Sequence, residues 1–180
     1  TTNNLSIYKM CKSLANQGRR DSMQWLDHKY LGYNYRMDEM SAALGLAQLS
    51  KLSFFIRERQ RIAGWYNEYL GKYGSLIEIP LIAPDNTHTW FVYVVRLKIN
   101  SSHRPKIIQK LNKIGIASKV YLPSIHLFDF YKKKFGYKRG DYPASEDISS
   151  RSLALPLYVG LTKKDIRYIC NRLISILYVS

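Results

Sequence analysis

Two short segments gather side chains whose types could do chemistry. Gly32-Tyr-Asn-Tyr-Arg36 sets a glycine, an amide, two phenols and a guanidinium directly before a helix start at Asp38. A helix N-terminus with Asn34 and Arg36 beside it suits a phosphate, because backbone N–H groups, an amide and a guanidinium fork all favour an anion. The same residues also describe an ordinary capping loop, with Asn34 bonding its own turn and Arg36 in a surface ion pair. The second segment is Tyr121-Leu-Pro-Ser-Ile-His126. It follows a strand-like stretch, and Pro123 stiffens a loop that presents a phenol and an imidazole. A histidine in such a loop also serves as a satisfied structural group. Residue types alone therefore lead to an anion-site candidate and leave both readings open.

Other chemistries find no footing. The four histidines, His28, His88, His103 and His126, fall in separate segments without metal-ligand spacing. No glycine-rich phosphate loop of either common pattern occurs, and no G-x-S-x-G nucleophile elbow. Cys11 and Cys170 lie far apart, each within an apolar helical pattern, so buried reduced thiols are expected.

The elements that must position the two segments can be read from periodicity. Leu5, Tyr8, Cys11 and Leu14 recur at helical spacing and stop at Gly18. A polar and aromatic loop covers residues 19–35. Asp38 offers an N-cap to a helix carrying Met40, Ala43, Leu44 and Ala47 on one face. The pattern resumes through Leu52, Ile56, Ala63, Tyr66 and Leu70, closed by Gly71 and Gly74. Residues 89–98 are aromatic and β-branched and predict a buried strand. Pro105 suits the first turn of a helix with Ile107, Ile108, Leu111 and Ile114, stopped by Gly115. Residues 116–122 can return as a second strand, and 153–158, with Pro156, as an edge strand or extended segment. Thr162 and Asp165 predict a capping box on a last helix whose stripe is Ile166, Ile169, Cys170, Leu173, Ile174 and Leu177. The later part is thus an α+β unit, a small sheet covered on one face by helices. The packing partners of the earlier helices are not evident from the sequence.

At 180 residues, 46% hydrophobic and 23% charged, the composition is globular. Lysine and arginine outnumber aspartate and glutamate by 28 to 13, a formal charge of +15. That surplus attracts polyanions, but it is spread along the chain, and the densest run, Tyr131 to Arg139, is short. A solvated basic face is therefore favoured over nucleic-acid binding. No signal peptide and no membrane-spanning apolar run is present, so a cytoplasmic protein without a membrane partner is expected.

The order of several motifs adds a resemblance. Gly32-Tyr-Asn-Tyr-Arg-Met-Asp-Glu-Met-Ser-Ala-Ala-Leu-Gly-Leu-Ala-Gln-Leu49 resembles the N-Y-R-(M)-x-x-x-x-A-A-x-x-x-x-Q-L signature of the DegT/DnrJ/EryC1/StrS sugar aminotransferases. Arg57, Arg59, Arg61, Ala63 and Tyr66 continue in its R-x-x-x-A-x-x-Y style, and His88-Thr-Trp-Phe-Val-Tyr93 resembles its H-x-W-x-x-Y strand. Gly115-Ile116, Tyr121-x-Pro-x-x-His126, Gly136-Tyr137, Gly140-Asp-Tyr-Pro143, Glu146 and Leu155-Pro-Leu-Tyr158 follow in the family's order, so the resemblance covers nearly the whole chain.

The resemblance implies the C-terminal small domain of a fold-type I aminotransferase with the preceding inter-domain helices. Residues 1–35 would end the large cofactor domain, 36–75 would be connecting helices, and 76–180 the α+β small domain. It implies pyridoxal phosphate as cofactor, a homodimer with sites at the subunit interface, and transfer of nitrogen from glutamate or glutamine to a nucleotide-linked keto sugar. Asn34 would bond the cofactor phosphate of the neighbouring subunit with Arg36 close by, and Tyr121 and His126 would line the sugar side. His88 and Trp90 belong to the motif as structural or site groups. Thr1-Thr-Asn-Asn4 resembles the end of a glycine-rich stretch that follows the Schiff-base lysine in the family. The chain is accordingly expected to be a C-terminal half without that lysine, inactive alone. A sugar dehydratase, with histidine in place of lysine, and a non-enzymatic regulatory or interaction module are the alternatives.

Overall fold

The apolar stripe at the C-terminal end of the sequence needs a surface to cover, and a three-stranded sheet provides it. A computed structural model describes residues 1–20 and 27–179; the part of the expected 19–35 loop at 21–26 lies outside the described residues. The chain divides into two compact units, residues 1–52 and 53–180.

In the first unit, α1 spans Leu5–Ala15 and α2 spans Glu39–Leu49. Asn4 caps α1 by accepting from the Ser6 and Ile7 N–H groups at 2.9 and 3.2 Å. Asp38 caps α2 by accepting from the Ser41 N–H at 2.8 Å, as its position before the apolar run predicts. No residue of α2 is buried, and Met40, Leu44 and Leu46 are exposed. The expectation of two buried thiols holds for Cys170 only: Cys11 is exposed, because α1 turns most of its apolar residues outward.

The second unit begins at the second residue of α3 (Leu52–Leu70), whose Ile62, Ala63, Tyr66 and Leu70 are buried in the core. Strands β1 (Ile77–Glu78), β2 (Tyr93–Leu97) and β3 (Ser152–Leu155) form an antiparallel sheet in the order β1-β2-β3. Along β2, Tyr93, Val95 and Leu97 are buried while Val94 and Arg96 are half-buried, the alternation of a strand with one covered face. Helices α4 (Arg104–Lys113) and α7 (Lys163–Tyr178) pack on one another, and their buried residues join those of α3 and the strands in one core cluster. The Thr162–Asp165 capping box forms as expected: the Asp165 N–H donates to Thr162 Oγ1 at 3.2 Å and the Thr162 N–H to Asp165 Oδ2 at 2.9 Å.

Two strand expectations need correction. Of residues 89–98 only Tyr93–Leu97 is strand. The Trp90 N–H donates to His88 Nδ1 at 2.9 Å, and Trp90 has φ of 51°, so the chain turns before it can pair. Residues 116–122 form no strand. The Asn112 amide takes both polar groups of the Ser118 backbone, accepting its N–H at 2.8 Å and donating to its carbonyl at 3.2 Å, which leaves one bridge, Lys119 to Ala154. The 153–158 expectation holds in its edge-strand form: β3 lies at the sheet edge and stops before Pro156. Two helices that periodicity did not single out, α5 (Asp129–Phe135) and α6 (Pro143–Arg151), precede β3.

Leu173 is fully buried on α7 within this core. Leu173→Ala is expected to destabilise the chain by about 2–5 kcal/mol in denaturant unfolding, the cost of lost transfer energy plus a cavity.

Candidate functional site

The first candidate segment is held by backbone-on-backbone packing in the 1–52 unit. Gly18 has φ of 74°, and a Cβ there would lie 1.8 Å from the Tyr30 carbonyl oxygen. At Gly32 a Cβ would lie 2.2 Å from the Gly18 nitrogen, so the two glycines permit a contact that no other residue pair allows. Tyr33 and Tyr35 N–H groups donate to the Leu14 and Ala15 carbonyls at 2.7 and 2.8 Å, and Gln17 N–H donates to Tyr33 O at 2.8 Å. This stitching continues the end of α1 into an extended segment. Alternation along it places Tyr33 and Tyr35 on one side, stacked with ring centroids 5.0 Å apart. Asn34 and Arg36 share the other side, where Arg36 Nε donates to Asn34 Oδ1 at 3.1 Å.

Both side chains are exposed, and among the described residues no carboxylate pairs with Arg36. The Arg36 bond orients the Asn34 amide while the remaining guanidinium N–H groups stay available, a donor set that fits a phosphate. The helix N-terminus itself contributes less than its position suggested. Asp38 occupies it, and the Ser41 hydroxyl and N–H hold that carboxyl below the usual carboxylate range. Phosphate recognition here would rest on side chains.

The second segment lines a cleft of about 720 Å³ in the 53–180 unit, walled by Tyr121, His126, Tyr131, Phe135, Tyr137 and Tyr142 among others. The loop enters from the Lys119–Ala154 bridge and ends in a 3-10 turn at Ile125–Leu127. Ser124, buried, donates to the Ser145 carbonyl at 3.1 Å and so straps the loop to α6. His126 is 8% exposed and its Nε2 lies 3.0 Å from Glu146 Oε1. The same oxygen accepts the Gly140 N–H at 2.8 Å. Burial works against the Glu146 anion, but the Gly140 N–H donation and the hydrogen bond with His126 hold it below the usual carboxylate range. Tyr142 and Tyr137 meet the imidazole edge-on at centroid distances of 4.8 and 6.3 Å. A hydrogen bond with Tyr137, and its proximity, raise the Tyr142 phenol above its ordinary value. Chemically, the cleft offers aromatic faces and edges, a phenol at Tyr121, and one buried imidazole on a carboxylate.

The structure thus pairs Asn34 with Arg36 in the 1–52 unit and sets Tyr121 and His126 along one cleft in the 53–180 unit. His88 has a structural task, accepting the Trp90 N–H with the two ring centroids 4.3 Å apart. Sequence reasoning quoted Glu146, Tyr137 and Tyr142 without giving them roles. Glu146 lies twenty residues beyond His126, on another element, and no local spacing joins a loop histidine to a first-turn acid. Among the described residues no group of three or more His, Cys, Asp or Glu could hold a metal, and no helix is long and apolar enough to cross a membrane.

Comparison with known proteins agrees with this architecture. The profile of the DegT/DnrJ/EryC1/StrS aminotransferase family matches residues 1–174, and the chain belongs to that family. It is 30% identical over 165 residues to the spore coat polysaccharide biosynthesis protein SpsC of Bacillus subtilis, covering 90% of this chain and 42% of that protein. It is also 30% identical over 167 residues to the GDP-perosamine synthase of Caulobacter vibrioides, covering 92% of this chain and 44% of that one. Among solved structures, the pyridoxal-phosphate form of a Streptococcus pneumoniae protein assigned as a sugar aminotransferase superposes with a TM-score of 0.86 at 25% identity. The match covers 99% of this chain and 45% of that one. The chain therefore spans less than half the length of these relatives, and its fold is that of part of a fold-type I aminotransferase.

Two outcomes follow from this geometry. Gly18→Ala is expected to cost more than about 1 kcal/mol from the left-handed backbone alone, before its clash with Tyr30. Hydrogen exchange should then accelerate at the Gln17, Tyr33 and Tyr35 amides. For Glu146, a lowered folded-state pKa means stability that is present above the unfolded value and lost as pH falls through the folded one. Urea unfolding of the chain and of Glu146→Gln should show a gap at about pH 7 that closes as pH falls below the ordinary carboxylate range.

Proposed function

We propose that this chain is the C-terminal portion of a pyridoxal-phosphate-dependent aminotransferase that acts on a nucleotide-linked keto sugar, with glutamate or glutamine as amino donor. Family membership and the Caulobacter relative's name, GDP-perosamine synthase, support the substrate class. The observation that carries the reading is the Asn34–Arg36 pair, an oriented amide beside a guanidinium that no described carboxylate neutralises.

When bound, the cofactor supplies the electron sink through which the amino group is moved. Asn34 holds its phosphate by an amide hydrogen bond, and Arg36 adds charge-assisted donors and fixes the amide's orientation. The phosphate belongs to the cofactor of the neighbouring subunit of a homodimer. Exposed apolar side chains at Leu31, Met37, Met40 and Leu46 are consistent with a partner covering that unit. Tyr121 and His126 face the sugar, with the aromatic wall excluding water from its ring. In domain terms, residues 1–35 close the cofactor domain, 36–75 connect, and 76–180 form the small domain. No lysine of this chain has the place of the Schiff-base lysine in the family's motif order, so the 180-residue chain alone is expected not to transaminate.

Two measurements test this reading. Borohydride reduction of the chain with pyridoxal phosphate, followed by intact-mass analysis, is expected to give no stoichiometric adduct. A single modified lysine would place the anchor within this chain and overturn the assignment. Titration with pyridoxamine phosphate should shift the Asn34 and Arg36 resonances, and Arg36→Ala should weaken that binding about tenfold or more, the scale of one charge-assisted hydrogen bond. Shifts confined to other residues would remove the phosphate role from this loop.

A further inference from the structure

Behind His126 of the aromatic cleft, one carboxylate has no role in the reading so far. Glu146 sits in the first turn of α6, where the helix dipole favours an anion, and its side chain is 11% exposed. Its Oε1 takes two donors at once, the Gly140 N–H at 2.8 Å and His126 Nε2 at 3.0 Å. An ionised carboxylate only accepts hydrogen bonds, so the ring nitrogen facing it must carry a proton. A neutral imidazole with its proton on Nε2 has a lone pair on Nδ1, and among the described residues no hydrogen bond engages that nitrogen. The ring has little freedom to turn over. It is 8% exposed, Tyr142 and Tyr137 close on it edge-on, and the Ser124–Ser145 strap fixes the loop that carries it.

We infer that Glu146 is a positioning residue for His126: it fixes the imidazole as the Nε2–H tautomer and leaves Nδ1 to accept a hydrogen bond from a hydroxyl of a sugar held in the aromatic cleft. The sugar half of this inference rests on the sugar-facing reading of Tyr121 and His126. The tautomer half does not. A sugar suits the site on chemical grounds, since its C–H faces pack on phenol and phenyl rings while its hydroxyls donate to a fixed acceptor. A hydroxyl group that meets an unpaired acceptor in a half-dry cleft is discriminated from a deoxy position, because loss of the hydroxyl leaves that acceptor unsatisfied.

Long-range proton–nitrogen spectra of the nitrogen-15-labelled chain at about pH 8, above the ordinary imidazole range, read the tautomer directly. The expected result is a single Nε2–H form for His126, replaced by a tautomer mixture in Glu146→Gln and in Glu146→Ala. Backbone spectra of both variants should otherwise remain those of the folded chain. A ring protonated on Nδ1, a ring carrying both protons, or a tautomer unchanged in two folded variants would each overturn the positioning role. UDP-glucose is then the probe for the ligand. It should shift His126 Nδ1 in the original chain, and Glu146→Gln should bind it about tenfold more weakly, the equivalent of one hydrogen bond. If the tautomer behaves as expected and UDP-glucose leaves His126 unmoved, the sugar assignment of the cleft fails while the hold of Glu146 on the ring stands.

Discussion

Two phenols buried side by side constrain the whole 53–180 unit. Tyr66 of α3 and Tyr93 of β2 are fully buried and stack with ring centroids 4.5 Å apart, and Trp90 stacks on Tyr93 at 5.6 Å. A buried hydroxyl without a partner costs about 1–3 kcal/mol, so each phenol must find one. Tyr66 donates to the Pro156 carbonyl at 2.8 Å and Tyr93 to Asn67 Oδ1 at 2.6 Å. Those two bonds set the register of α3 on the sheet and tie down the chain where β3 ends. Burial pushes both phenols far above their ordinary range, with the nearby Cys170 thiol, itself pushed up to about 12 by burial, adding to the effect. They remain neutral hydrogen-bond donors wherever the protein is folded.

The cleft depends on that arrangement. Helix α6 runs directly into β3, and the loop carrying Tyr121 and His126 leaves the sheet at the Lys119–Ala154 bridge, so both walls are anchored to the same strand. Charge pairs lie on neighbouring elements: Arg96 on β2 pairs with Glu78 on β1, and Arg151 with Asp147 within α6. Half-exposed pairs of this kind contribute little energy. The loop carrying Asn34 and Arg36 in the 1–52 unit is built differently. Its backbone is held by the Gly18–Gly32 contact and by main-chain hydrogen bonds, so its side chains can remain exposed on a fixed backbone.

Much of this was legible in the residues. The Asp38 cap, the Thr162–Asp165 box and the stripe of the last helix depend on contacts within four residues, where periodicity and capping chemistry are informative. Motif order led to the family, and the family profile over residues 1–174 agrees. The strand over 116–122 was misread because its β-forming side chains said nothing of Asn112, whose amide captures the Ser118 backbone first. Residues 89–92 were misread for a related reason: the His88 ring competes for the Trp90 N–H that a strand would have used. Cys11 was misjudged because a helical stripe shows that a face is apolar without showing that anything covers it.

By itself, then, the sequence determined five of the helices, the Asp38 and Thr162 caps, the α+β class and the family, and it nominated Asn34, Arg36, Tyr121 and His126. All of these follow from local propensity or from the order of residues along the chain. Only the tertiary structure decided that His126 meets Glu146, that five aromatic side chains wall one cleft around it, and that Asp38 rather than a ligand takes the head of α2. Such choices are settled by which donor reaches an acceptor first in space, and chain separation carries no record of that distance.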